Sequence, residues 1–208
     1  MTLTLIEGQM NNGKTLVLTF HALKDYLEGR KIITNYNINI PHYEINKDYL
    51  TYLAVKQPDT TGLSFFLDEL WLWLDSRNAM SNKILSYFFL QSSKNDTRVY
   101  LSVQRDNQLD IRVRENAHVI LKCERRLLIK NKMRRINNRI RDLGKQYYPI
   151  IYIKVKDYDN NFSNMTRYLE AKSIYYLKAC WLFNFYNTHQ KIKHQANKNL
   201  LKNMIVNA

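Results

Sequence analysis

The sequence predicts an α/β fold with a mostly parallel central sheet flanked by helices, and three observations predict it. Strand-like and helix-like segments alternate through the first 125 or so residues in the order β, α, β, β, α, β, the pattern of right-handed crossovers. The run LSFFLDE, Leu63 to Glu69, is apolar without alternation until its two terminal acids, which suits a strand buried on both faces. A loop containing two glycines joins the first strand to the first helix.

The elements follow in order. Thr2 to Glu7 is a short β-rich run ending at Gly8, and a helical pattern extends from Thr15 to about Leu27, with Gly29 where a C-terminal cap belongs. KIITNYNI, Lys31 to Ile38, reads as a second strand rich in β-branched residues. A short helix is expected at Lys47 to Lys56, then the strand Leu63 to Glu69. Ile84, Leu85, Phe88 and Phe89 have helical spacing within Ser81 to Ser93, and Arg98 to Gln104 is again strand-like. His118 to Cys123 adds a strand, and a basic helix is expected from Glu124 to Lys145. Beyond it, Tyr147 to Lys156 reads as a strand, Met165 to Lys178 as a helix, and residues 192–208 as a polar tail. No internal repeat or low-complexity linker interrupts the chain.

Composition narrows the classes. At 208 residues the chain is long enough for one domain, expected over residues 1–191 with its core in about 1–125. Hydrophobic residues make up 45%, charged residues 24%, and Gly plus Pro number only eight (5 + 3), which excludes disordered and collagen-like chains. Lys plus Arg total 32 against 18 acids, a net charge of +14. Such a balance favours a polyanionic partner, either nucleic acid or an anionic membrane surface. Cys123 and Cys180 cannot build a disulfide framework and have no C-x-x-C spacing, so both read as core residues in a reducing compartment. The start MTLTLIEGQM lacks the features of a secretory signal, and no apolar run approaches the roughly 20 residues of a membrane span. A soluble, intracellular protein is expected.

The chemistry is concentrated in Gly8, Gln9, Met10, Asn11, Asn12, Gly13, Lys14 and Thr15, which match G-x-x-x-x-G-K-[ST]. Two glycines let the backbone wrap around a phosphate, amide N–H groups and the helix N-terminus point at it, and Lys14 neutralises the outer phosphates. The Thr15 hydroxyl can ligate Mg²⁺. The loop uses two of only five glycines in the chain, directly after a strand and at the opening of a helix. The acidic strand end supplies the other half of the site: Asp68 to hold Mg²⁺ through water and Glu69 to polarise the attacking water. Gln104, at the tip of the neighbouring strand, either senses the γ-phosphate or caps the strand.

GQMNNGKT, RKIITNYNI, FFLDELWLW with Arg77, and LQSSKNDTRVYLSVQ followed by Asp110, Arg112 and Arg114 together resemble the FtsK and HerA superfamily of ATPases. Within it the likeness is to zonula-occludens-toxin-like proteins and viral genome-packaging ATPases, with a weaker echo at FNFYNTHQK, Phe183 to Lys191. The resemblance implies a RecA-like P-loop NTPase that binds ATP and Mg²⁺, forms a pentameric or hexameric ring, and translocates double-stranded DNA. A capsid or inner-membrane portal component is an implied partner, and the implied location is the host cytoplasm or association with the virion. It also implies an arginine finger, for which Arg98, Arg112 and Arg114 are the candidates. The alternative within the resemblance is a phage morphogenesis or export ATPase acting at a membrane, where such proteins carry a membrane segment that this sequence lacks.

The basic stretch contains Arg125, Arg126, Lys130, Lys132, Arg134, Arg135, Arg139, Arg141 and Lys145. Ile129, Met133, Ile136, Ile140 and Leu143 recur at alternating spacings of four and three, placing them on one helix face. The opposite, basic face is then either solvated or a path for DNA phosphates. Trp71 and Trp73 read as core or subunit packing.

Overall fold

The computed structural model describes residues 2–70, 73, 79–91, 95–104, 109–129, 132–135, 150–159, 171–182 and 185. Strand β1 (Thr2–Glu7) leads through the glycine loop into α1 (Lys14–Leu27), followed by β2 (Lys31–Thr34) and the two-residue β3 (Tyr43–Glu44). Next come α2 (Lys47–Lys56), β4 (Leu63–Leu67), α3 (Ala79–Gln91), β5 (Arg98–Val103) and the short α4 (Ile111–Glu115). The remainder is mostly strand: β6 (Val119–Ile129), β7 (Lys132–Arg135), β8 (Ile150–Asp159) and β9 (Ser173–Lys178), closed by the single turn α5 (Ala179–Leu182).

One sheet joins all the strands in the order β3-β2-β4-β5-β1-β6-β8-β9, with β7 paired to β6. From β3 to β6 every pairing is parallel. From β6 onward the pairings are antiparallel: β6 meets β8 from Val119↔Asp159 to Leu128↔Ile150, and β8 meets β9 from Tyr152↔Lys178 to Asp157↔Ser173. Pairing of β1 with β6 stops at Glu7↔Lys122, so β6 and β8 project past the carboxyl end of β1, beside the glycine loop.

The period-two alternation of each strand divides the core between two layers. Leu3, Leu5, Phe65, Leu67, Val99 and Leu101 pack against Leu50 and Leu53 of α2, Leu85 and Phe89 of α3, and Val113 of α4. Ile6, Phe66, Tyr100, Cys123, Ile153 and Leu177 face the other way, against Leu16, Val17 and Ala22 of α1 and Leu182 of α5. All five residues of β4 are buried, as its unbroken apolar run predicts. Helix α2 begins where the Asn46 side chain accepts a hydrogen bond from the Tyr49 amide at 2.9 Å, a cap worth about 1 kcal/mol.

The amino edge of the parallel sheet is fastened by two arginines. Arg30 donates to Ser64 Oγ at 2.8 Å, to the Leu63 carbonyl at 3.0 Å and to Asp96 Oδ2 at 2.7 Å, tying the α1–β2 turn to β4 and to the turn before β5. Arg98, the first residue of β5, bridges Asp25 at 2.7 Å and Glu28 at 2.5 Å, holding the end of α1 against the sheet.

Most sequence-predicted elements stand where expected, some with different ends. Strand β2 stops at Thr34 rather than Ile38, and β8 begins at Ile150 rather than Tyr147. Two helices are corrected. The segment from Glu124 is no helix: Glu124–Ile129 continues β6, and Lys132–Arg135 folds back on it as β7. The four-residue spacing of Ile129 and Met133 fits a helical face, but Leu127, Leu128 and Ile129 are consecutive, and a long antiparallel partner outweighs weak local preference. Ser173–Lys178, expected at the end of a helix, is β9; SIYYLK is rich in β-branched and aromatic residues that suit a pleated surface. Ile136 to Lys145, residues 160–170, Trp71, Arg77 and the tail 192–208 lie outside the described residues.

Candidate nucleotide site

Two local requirements shape the loop between β1 and α1. Gly13 caps α1 with φ 84°, and Asn11 has φ 64°, left-handed conformations that glycine adopts freely and asparagine tolerates. The second requirement is close packing from the antiparallel strands. A Cβ on Gly8 would lie 2.9 Å from the Cys123 carbonyl oxygen, and one on Gly13 would overlap Cγ1 and Cδ1 of Ile153. Strands β6 and β8 therefore press directly on the loop. The Asn12 amide donates to the Gln9 carbonyl at 3.2 Å, and the first bond of α1 runs from the Val17 amide to the Gly13 carbonyl at 3.0 Å. No side chain caps the N-terminus of α1, and Met10, at the loop tip, is 69% exposed. Uncapped amides facing an open loop form an anion cradle.

Lys14 is buried at 7% exposure and donates from Nζ to the Gln9 carbonyl at 3.3 Å. Burial pulls its ammonium below the ordinary value of 10.5, while Asp68 and Glu69 pull it back up. Beside it, Thr15 Oγ1 donates to Asp68 Oδ2 at 2.8 Å. The Ser102 hydroxyl of β5 donates to the other carboxylate oxygen of Asp68 and accepts the Glu69 amide at 2.9 Å. Asn35, just past β2, donates to the Asp68 carbonyl and accepts its amide, both at 2.7 Å. Three neighbouring segments thus fix Asp68, aimed at the first turn of α1.

Glu69 follows with φ 48°, a left-handed backbone costing a non-glycine residue about 1 to 2 kcal/mol. Burial raises its carboxyl above the usual 4.5, with repulsion from Asp68 adding to the effect and Lys14 opposing it. A half-buried carboxylate with raised proton affinity is suited to accept a proton from water.

Gln104 stands half-buried at the carboxyl end of β5, next in the sheet to β4, which Asp68 and Glu69 follow. The three arginine candidates are separated by the fold. Arg98 starts β5, on the order of 20 Å along the strand from Gln104, and its guanidinium is engaged by Asp25 and Glu28. Arg112 and Arg114 lie on α4, downstream of Gln104 and on the far side of the undescribed residues 105–108; Asp110 caps that helix by accepting the Arg112 amide at 2.9 Å. The Arg112 side chain is exposed and that of Arg114 half-buried. Trp73 is a core residue, 2% exposed.

No protein-family model matches the chain, and no curated protein matches its sequence. Solved structures do. The N-terminal domain of zonular occludens toxin from Neisseria meningitidis superposes with a TM-score of 0.56 at 16% identity, covering 89% of this chain and 98% of that one. The genome packaging NTPase B204 from Sulfolobus turreted icosahedral virus 2, in complex with ATP-gammaS, superposes at 0.50 and 15% identity, covering 85% of this chain and 96% of that one. The fold is that of a P-loop NTPase. At these identities the likeness is one of fold, and it agrees with the resemblance carried by GQMNNGKT and FFLDE.

Two positioning residues of this P-loop fold, Asn35 and Ser102, escape sequence reasoning. Each is a polar residue at or near the end of an otherwise apolar strand, a weak signal shared with ordinary strand caps. The packing of Cys123 and Ile153 on the glycine loop was equally hidden, because it depends on the antiparallel pairing of β6 and β8. Burial pushes the Cys123 thiol up to about 12, and the parts of Cys123 nearest Gly8 are its carbonyl oxygen and Cβ.

Proposed function

We propose that the chain is an ATP-hydrolysing motor that translocates double-stranded DNA, working as a genome-packaging NTPase. The observation that carries the hydrolytic half is the link from Thr15 to Asp68 with Glu69 next in sequence. The backbone amides of residues 9–15 and the Lys14 ammonium would hold the β- and γ-phosphates of ATP. Thr15 Oγ1, and Asp68 through water, have the donor chemistry for Mg²⁺, which when bound would neutralise charge on the phosphates. Glu69 would accept a proton from the water that attacks the γ-phosphorus, and Gln104 would orient that water. The net charge of +14 supports a polyanionic track.

The motor would act as a ring, in which Arg112 or Arg114 of one subunit reaches the γ-phosphate bound by its neighbour. Arg98 is the weakest candidate of the three, since Asp25 and Glu28 already hold it. Specific activity should then fall on dilution. Arg112→Ala or Arg114→Ala should lose about 10³- to 10⁵-fold in turnover with ATP affinity kept, and rings mixing that variant with Lys14→Ala subunits should recover activity. Full activity in a monomer would overturn the ring. The second reading, an export ATPase at a membrane, draws on the same positive charge, and tight binding to anionic vesicles without binding to DNA would favour it.

A further inference from the structure

The antiparallel extension has two unlike faces. Direct cross-strand partners share a face, so the registers of β6, β8 and β9 place their side chains in rows. One face carries Cys123–Val155–Tyr175 and Arg125–Ile153–Leu177; here Cys123, Val155, Ile153 and Leu177 are buried in the layer under α1 and α5. The other face carries Lys122–Lys156–Ile174, then Glu124–Lys154–Tyr176, then Arg126 and Lys178 at the register of position 152.

Eight described side chains of that second face thus include five cations and one acid, and Lys122 also lies across from the buried Glu7 of β1. Ile174 is 51% exposed and Tyr176 45%, and Lys178 is exposed as well. Glu124 is shared between Arg126 at 2.5 Å and Lys156 at 3.7 Å, which fixes two cations in the lattice rather than removing them. Lys154 lies with Nζ 6.0 Å from the centre of the Tyr176 ring. The same face nearer the amino end of β6 is ordinary core, with Ile120 and Tyr158 paired and buried. Charge therefore begins where the sheet projects past the carboxyl end of β1.

We propose that this face is a nucleic-acid surface that takes the phosphate backbone of double-stranded DNA without reading its sequence. The proposal rests on the motor reading above and adds the place where the track lies. Lys122 to Arg126 spans about 13 Å of strand, a length over which duplex DNA presents roughly eight phosphates, so the cations face an excess of negative charge. A lipid surface would also draw on exposed apolar side chains; among the described side chains of this face these are Ile174 and Tyr176, on its edge strand, against five cations. The position has a mechanical consequence. Cys123 and Ile153 touch Gly8 and Gly13 of the glycine loop, and the residues beside them in the same strands, Lys122, Glu124 and Lys154, point to the basic face. Only the thickness of one sheet separates the phosphate loop from the proposed track.

The test is the salt dependence of duplex binding by the full chain, measured for the wild type, for Lys154→Gln/Lys156→Gln/Lys178→Gln, and for the matching triple change to Arg. The Gln variant should flatten the log-log slope by about 2 to 3 units per subunit in contact, since each phosphate contact contributes about −0.9. The Arg variant should keep the wild-type slope, and all three proteins should bind ATP equally, which verifies their fold. Duplex binding with an unchanged slope in the Gln variant would overturn this surface while leaving the motor reading intact. A wild type that binds anionic vesicles but no DNA would overturn both.

Discussion

The parallel half of the sheet, β3 through β6, and the antiparallel extension, β6 through β9, are built from the same chain on opposite sequence rules. Parallel strands are covered by helices on both faces, so β4 is apolar at every position but Ser64 and β5 is nearly so. Among the described residues the extension meets helices α1 and α5 on one face, and the half-buried Lys122, Glu124, Arg126, Lys154 and Lys156 alternate with the buried Cys123, Ile153 and Val155. The difference separates two tasks. The parallel half gathers Lys14, Thr15, Asp68 and Glu69 at its carboxyl edge, where open α/β sheets bind ligands, whereas the extension braces the glycine loop with one face and carries charge on the other.

That division can be broken at the catalytic edge first. Lys14→Ala should lower ATP turnover by at least about 10²- to 10³-fold while DNA binding keeps its salt slope, because the two lie on different parts of the sheet. Glu69→Gln should also stop turnover, yet bind ATP and hold it unhydrolysed. In the wild type, the raised Glu69 carboxyl should move the acid limb of the kcat/KM profile above 4.5, and the lowered Lys14 ammonium should bring the alkaline limb below 10.5. Glu69→Gln turning over at the wild-type rate, or an acid limb at or below 4.5, would remove Glu69 from the role of base.

The junction between the halves is the next place to press. Gly13→Ala meets Ile153 and forces a left-handed alanine, which alone costs about 1 to 2 kcal/mol. We expect a lower Tm and weakened ATP binding. Adding Ile153→Ala should recover part of the ATP affinity by relieving the overlap, leaving the backbone cost in place. No recovery would show that β8 does not brace the loop.

A smaller effect is expected at His21, whose ring joins the halves from α1. It stacks on Tyr100 of β5 at 5.2 Å between centroids, and its Nε2 lies 3.4 Å from the Tyr175 hydroxyl of β9. The ring is enclosed by these aromatics although one edge of the residue remains accessible. Burial holds it at about 4 against 6.5 in the unfolded chain, and Lys24 adds to the shift. The unfolded state therefore gains the proton first, and stability present above pH 6.5 is lost as pH falls toward 4. The loss should reach at most about 3 kcal/mol and should be absent from His21→Phe. Identical pH dependence of unfolding in the two proteins would contradict it.

The same contrast explains what was legible in the sequence. Strand β4, the loop from Gly8 to Thr15 and the pair Asp68–Glu69 announce themselves because a strand buried on both faces is uniformly apolar and a phosphate cradle needs particular residues at fixed spacing. The extension misled because residues four apart share a face of a helix and also of a strand, and only the long-range partners Ile150–Asp159 decide between them. Asn35 and Ser102 were silent for a related reason. Their role exists only once β2, β4 and β5 lie side by side.

The claim that joins both halves is that a basic track and a nucleotide loop, set back to back on one sheet, work as one machine. ATP turnover by the intact chain, measured with and without double-stranded DNA at saturating nucleotide, tests it most directly. Turnover should rise with duplex DNA of any sequence, and that rise should disappear in Lys154→Gln/Lys156→Gln/Lys178→Gln while the basal rate remains. Equal turnover with and without DNA in the wild type would contradict the account.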